Sequence, residues 1–161
     1  PKAGIDGLNI KGYYDPEHPR ENAELEPWPD ETWRKTNMIM DVDEGQFNFR
    51  VNLDGPHIRE YKNEKQDMSA ELIEQRYTFG MALLCVSAYE ATKENAQSLV
   101  QEIVDLSEAS EVQVSALGQG QVDELRIIFV NALINWVSPL FLQVADLVSG
   151  MDLDSAQSNE D

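Results

Sequence analysis

The chain has 161 residues and sets 30 acids against 12 bases, a formal net charge of −18 at neutral pH. Such a field repels nucleic-acid phosphates and anionic membrane surfaces and draws a chain toward basic partners, so neither direct nucleic-acid binding nor membrane attachment is expected. With 42% apolar residues it is too rich for a disordered chain, its length suits one domain with its own core, and its single cysteine excludes an intramolecular disulfide.

The charge is unevenly placed. Residues 94–161 hold twelve of the acids and a single base, Arg126, yet they also contain the most apolar stretch of the chain. The opening Pro1-Lys2-Ala3-Gly4 lacks the apolar core of a secretory signal, and a cytoplasmic location is the expectation.

Five of the seven prolines fall in the first 35 residues, which predicts an extended, turn-rich loop over 15–30 with a short strand near Leu8–Tyr14. Trp28 and Trp33 are large rings in a polar stretch, suited to pinning that loop onto the body of the domain. The clearest strand signal follows. Phe47, Phe49, Val51 and Leu53 alternate with polar residues, Met38, Met40 and Val42 alternate before them, and Gly45 supplies a turn. These patterns predict a hairpin at about 37–53, a turn at Asp54-Gly55-Pro56 and a shorter third strand at His57–Tyr61.

From Ser69, a good N-cap, a helix is predicted to about Ala91, apolar on most sides and therefore central. Thr92 is the expected cap of a second helix over about 93–109. That helix is two-faced, with Leu99, Val100, Ile103 and Val104 opposite Glu94, Glu102, Asp105 and Glu108. Residues 111–115 alternate briefly, as in a short strand or loose turn, and Gly118-Gln119-Gly120 is a break. The last helix is expected over 121 to about 138, kinked or restarted at Pro139 and ending before Gly150. Its apolar run is long enough to span a bilayer, but Asn131, Asn135, Gln143 and Asp146 interrupt it and no basic cluster flanks it. A buried or oligomer-forming helix is the better reading.

Together these elements predict an α+β domain over 1–150, an N-terminal loop and small antiparallel sheet packed on three or four C-terminal helices. Within it, 1–35 is Pro-rich loop and strand, 36–62 sheet and 69–149 helical, with an acidic solvated tail over 151–161.

Signals for chemistry are sparse. There are two histidines, His18 and His57; with Asp41 and Asp43 they are the candidates for a metal-assisted hydrolase. Asp15, Glu17 and His18 cluster in the loop and Asp41, Asp43 and Glu44 at the hairpin tip, where acids also occur simply because tips are solvated. Their spacing misses a calcium loop, and no nucleophile elbow or phosphate loop is present. Cys85 sits in a charge-free helical segment, where a thiol is an inert small hydrophobe. No catalytic residue, cofactor or metal is therefore assigned.

The remaining reading is a non-enzymatic interaction or assembly component, a regulatory subunit, adaptor or chaperone-like protein that binds a basic protein surface within a homo-oligomer or heteromeric complex. Its candidate contact residues are Glu94, Glu102, Asp105 and Glu108 on the acidic stripe and Trp136 and Phe141 on the apolar helix. Two alternatives stand beside it. One is a nucleic-acid mimic that inhibits a DNA- or RNA-binding protein, since acids three apart on a helix rise by about 4.5 Å, of the order of phosphate spacing. The other is the metal-assisted hydrolase. Acid excess also fits adaptation to high salt, although Lys and Arg are equal at six each.

Overall fold

A computed structural model describes residues 7–106 and 117–157. The alternating segments form a four-stranded sheet of order β2-β1-β4-β3, from β1 (Leu8–Tyr14), β2 (Glu26–Pro27), β3 (Met38–Asp43) and β4 (Gln46–Asn52). The expected hairpin is β3–β4, antiparallel in a register from Met38↔Val51 to Asp43↔Gln46. Its two loop residues, Glu44 (φ 47°) and Gly45 (φ 80°), take the two positive φ values that a tight hairpin needs.

The sheet is mixed, where the alternation had predicted an antiparallel one. Strand β1 runs parallel to both β4 and β2: the loop through 15–25 brings the chain back beside the end of β1 as β2, and the β3–β4 hairpin that follows places its second strand, β4, next to β1. The even-numbered side chains of β1 share a face with Phe47, Phe49 and Val51 of β4 and Met38 and Met40 of β3. That face carries the core.

The predicted third strand at His57–Tyr61 is instead part of a helix, α1 (Pro56–Glu64). Proline at its first helical position has a fixed φ suited to helix entry and no N–H to lose there. Helix α2 (Ala70–Ala91) starts as expected, with the Ser69 hydroxyl accepting from Leu72 N at 3.2 Å. It lays Ile73, Tyr77, Met81 and Cys85 on the sheet.

Thr92 ends α2 and does not start the next helix. Its hydroxyl donates to Tyr89 O at 2.8 Å, and α3 begins only at Ala96, running to Leu106. Residues 111–115, where a strand or turn was predicted, lie outside the described residues, as do 158–161 of the tail.

Helix α4 (Gln119–Gln157) is continuous through Pro139 and Gly150, with no restart and no end before 150. The proline cannot donate to the carbonyl of Asn135. Asn37 Nδ2 donates to that carbonyl instead, at 3.2 Å, so the lost bond is replaced from outside the helix.

Two ties hold α4 antiparallel to α2. Near one end, Tyr77 Oη and Ser138 Oγ, both buried, meet at 2.7 Å. At the other, Arg126 donates to Tyr89 O (2.6 Å) and Thr92 Oγ1 (3.1 Å), and its guanidinium stands 3.9 Å over the Tyr89 ring. It thereby covers the Tyr89 carbonyl at the C-terminus of α2, the helix end that favours positive charge.

The third tie is to the sheet. Strand β3 is an edge, and α4 seals it with two amides one turn apart. Asn131 accepts from Met40 N (2.7 Å) and donates to Met40 O (2.8 Å); Asn135 accepts from Asn37 N (2.7 Å) and donates to Met38 O (2.9 Å). The side-chain amides stand in for a fifth strand.

Candidate interaction surface

Burial along α4 recurs every four residues. Val122, Arg126, Val130, Ile134, Ser138 and Leu142 face inward. Ile128, Ala132, Trp136, Leu140 and Val144 form a row facing out, with Trp136 at its centre 73% exposed. The row spans about 24 Å at 1.5 Å per residue. From Ile127 to Ala145 the chain holds no ionisable side chain, so neither this row nor its flanks on α4 carry charge. Helix α2 exposes apolar side chains of its own at Leu72, Phe79, Leu83 and Leu84.

The residues singled out from sequence separate into three groups. Trp136 is on the outer row. Phe141 is half-buried and its ring lies on Gly80 of α2, so closely that a Cβ there would be 2.0 Å from the ring. It serves the α2–α4 packing. Glu102 and Asp105 are exposed on α3, where Asp105 accepts from Gln101 Nε2 at 2.8 Å, and Glu94 is exposed in the turn before that helix. Glu108 lies outside the described residues. Because Arg126, the one base after Lys93, is turned inward, the described surface of 94–157 has no cationic side chain.

The hydrolase candidates do not assemble. His18 sits against Asp15 at 3.3 Å, the Asp41 carboxylate accepts from Val42 N beside it at 2.9 Å, and Asp43 pairs with Gln46 at the hairpin end. His57 shares a face of α1 with Glu60 and lines a cleft of about 150 Å³ with Glu64, Pro139 and Gln143. Among the described residues no three His, Cys, Asp or Glu side chains come together to hold a metal. The buried Cys85 thiol lies 3.7 Å from Met38 Sδ, and burial pushes its pKa up to about 12.

A charged cluster that sequence reading missed fastens the Pro-rich loop. Arg20, from the loop, bridges Asp54 and Glu74 and donates to Leu53 O; Lys62 Nζ reaches Glu74 (2.7 Å) and Leu53 O (2.8 Å). Asp15 N donates to Asp54 at 2.9 Å, and Arg59 donates to Asp15 at 3.0 Å. Burial pushes the Asp54 carboxyl up, but Arg20, the Asp15 amide and Lys62 outweigh it and hold it below the usual carboxylate range. Burial also raises Asp15, against the Glu17 amide, Arg59 and His18, and again the net shift is downward.

The tryptophans complete the fastening. Trp28 Nε1 donates to the buried Asn52 side chain at 3.0 Å, Asn52 Nδ2 donates to Trp33 O at 2.6 Å, and Trp33 packs 4.9 Å from the Tyr13 ring. Every carboxylate of this cluster is matched by a base or an amide, and the cluster holds the loop on the body of the domain.

Comparison with protein-family models, with curated proteins and with solved structures finds no match for this chain.

Proposed function

We propose that the protein is a non-enzymatic interaction or assembly component that docks through the outer face of α4, with the acids of α3 and the neighbouring turn steering a basic partner toward it. The observation that supports this most is Trp136, a large ring held 73% exposed at the centre of a charge-free row on an otherwise acidic chain. Aromatic side chains in such positions are the residues that dominate binding energy at protein interfaces.

Lipid is the poorer occupant. The stretch Gln119–Val144 is long and apolar enough, by length and composition, to cross a membrane. Inward-facing Arg126, Asn131, Asn135 and Ser138, however, bind α2 and β3, so insertion would have to break those ties. The α4 row also lacks the Lys and Arg rim that draws a helix onto anionic lipid. A second copy of the chain is the competing occupant, favoured by the absence of charge on the row.

Salt separates the two. Contact with a basic partner weakens as salt rises, whereas association of two chains of charge −18 strengthens. The test is Trp136→Asp, at an exposed position where the fold is undisturbed, compared with the unaltered protein. Native mass spectrometry follows the partner recovered from the host at low salt, and sedimentation follows the purified chain. A stoichiometric basic partner, lost in Trp136→Asp and at high salt, supports the proposal. A partner retained by the variant, or a monomer that recovers none, refutes it.

A further inference from the structure

The two edges of the sheet are treated differently. At β3, Asn131 and Asn135 occupy the outward backbone groups of Met38 and Met40. At β1 the ladder to β4 uses the odd-numbered residues, as the carbonyls of Gly7 and Tyr13 show by accepting from Phe47 N (3.0 Å) and Leu53 N (2.9 Å). In a parallel ladder the alternate residues then aim their N–H and C=O groups the other way. On that side Tyr14 O accepts from Trp28 N, and β2 pairs only with Tyr13 and Tyr14. Among the described residues, no strand pairs with Leu8 or Ile10 at this edge.

A cleft lies beside the open part. It holds about 300 Å³ between β1, the end of the loop and α2, at the lower end of the range for ligand sites. Ile10, Leu25, Leu53 and Phe79 give it apolar walls, and Glu24, Glu71 and Glu74 an acidic rim. Arg20 and Lys62 already engage Glu74. Glu24 and Glu71 have no ion-pair partner among the described residues. The same residues of β1 that turn their backbone outward, Ile10 and Gly12, turn their side-chain faces into the cleft.

The chain itself shows how the edge is used. Leu25 enters the cleft so tightly over Gly12 that a Cβ there would be 2.6 Å from its Cδ2, and the next two residues, Glu26 and Pro27, add to β1 as a parallel strand. This self-made extension covers the C-terminal end of the edge and stops short of Ile10.

We infer that the open edge of β1 and the adjoining cleft form a peptide-binding groove, which takes an extended segment of a partner protein by strand addition. Main-chain bonds to Leu8 and Ile10 hold the segment. Its alternate side chains enter the cleft, an apolar one against Ile10 and Phe79, with basic ones at the neighbouring same-side positions facing Glu24 and Glu71. Side chains on the other side of the segment meet Asn9 and Lys11 and are polar. The groove is separate from the outer row of α4 and stands or falls without it.

The probe is a fluorescein-labelled, end-capped peptide, Thr-Lys-Thr-Val-Thr-Lys-Thr, followed by fluorescence anisotropy. Its control is the same sequence with N-methyl groups on alternate residues, one version for each strand face, so that charge is kept and ladder bonds are lost. Saturable binding of the plain peptide is expected, weakened at least about tenfold by N-methylation on one face. Ile10→Pro removes an outward N–H at a position where an edge strand tolerates proline, and Phe79→Lys opposes the basic side chains; each should weaken binding to a similar degree. Circular dichroism and thermal unfolding confirm that both remain folded, and amide exchange should slow at Leu8 and Ile10 when peptide is bound. Trp136→Asp should bind the peptide unchanged. Equal binding of the N-methylated peptides, equal binding by a folded Ile10→Pro protein, or no saturable binding of the plain peptide would each overturn the inference.

Discussion

Replacing Asn135 with leucine sets local preference against tertiary structure. Leucine is the better helix former by roughly 0.5 kcal/mol and would add apolar surface to an apolar helix, so local rules predict a gain. The amide, however, is the partner of two backbone groups at the β3 edge, accepting from Asn37 N at 2.7 Å and donating to Met38 O at 2.9 Å. Leucine strands both. A buried group left without a partner costs about 1–3 kcal/mol, and water reaches part of this half-buried site, so the net loss is about 2–3 kcal/mol after the propensity gain. With a urea slope of about 2 kcal/mol/M, the unfolding midpoint should fall by roughly 1–1.5 M at unchanged slope. Amide exchange at Asn37 should quicken in parallel. Ala132→Leu, one turn earlier on the outward row, is the control and should move stability by less than about 0.5 kcal/mol. An Asn135→Leu midpoint that is unchanged or raised would refute the edge-sealing role.

Three further outcomes are expected. Arg126→Met should cost about 2–3 kcal/mol in urea unfolding, because the carbonyl of Tyr89 and the Tyr89 ring lose a cationic partner that is 3% exposed. Asp54 has a native pKa below its unfolded value, so its contribution is present above about pH 4 and is lost as pH falls through the native value. Unfolding midpoints measured from neutral pH downward should therefore show a shallower acid limb in Asp54→Asn, from a lower starting stability. Cys85, with its pKa pushed up to about 12, should resist a thiol reagent at mildly alkaline pH, and added urea should raise its reactivity in step with unfolding.

Elements governed by their own residues were legible, and those governed by distant partners were not. The hairpin was readable because alternation of Met38, Met40 and Val42 against Phe47, Phe49 and Val51 needs only neighbours in sequence. Ser69 announced α2 for the same reason. Helix α1 was readable in principle, since Pro56 before Arg59-Glu60-Tyr61-Lys62 is a first-turn proline followed by helix formers; the short apolar content, with Ile58 alone buried, obscured it. The direction of β1 was beyond local reading, because parallel pairing across 39 residues leaves no mark in β1 itself. Thr92 has the residue type of a helix start, but its hydroxyl donates back to Tyr89 O and accepts from Arg126, 34 positions later, a partner that its neighbours in sequence do not announce. The loop-fastening cluster was hidden for the same reason, since Arg20, Asp54, Lys62 and Glu74 come from four separate segments.

Asn131 and Asn135 show how a correct observation carries only part of its meaning. From sequence they are polar interruptions that weigh against a membrane span. In the fold they are the inward polar groups that let an apolar helix lie along a strand edge without stranding its backbone, and Asn37 returns the service by covering the carbonyl that Pro139 frees. The polar residues of α4 are thus spent on the inside, where Arg126, Asn131, Asn135 and Ser138 each meet a named partner. Between Ile127 and Val144 what is left for the outside is apolar apart from Gln143. A chain so acidic elsewhere has ample charge to remain soluble with such a face open, whereas the same face on a weakly charged chain would invite indiscriminate association. The acid excess and the bare row of α4 are therefore physically linked: repulsion between copies raises the threshold for contact, and a partner that supplies the opposite charge lowers it.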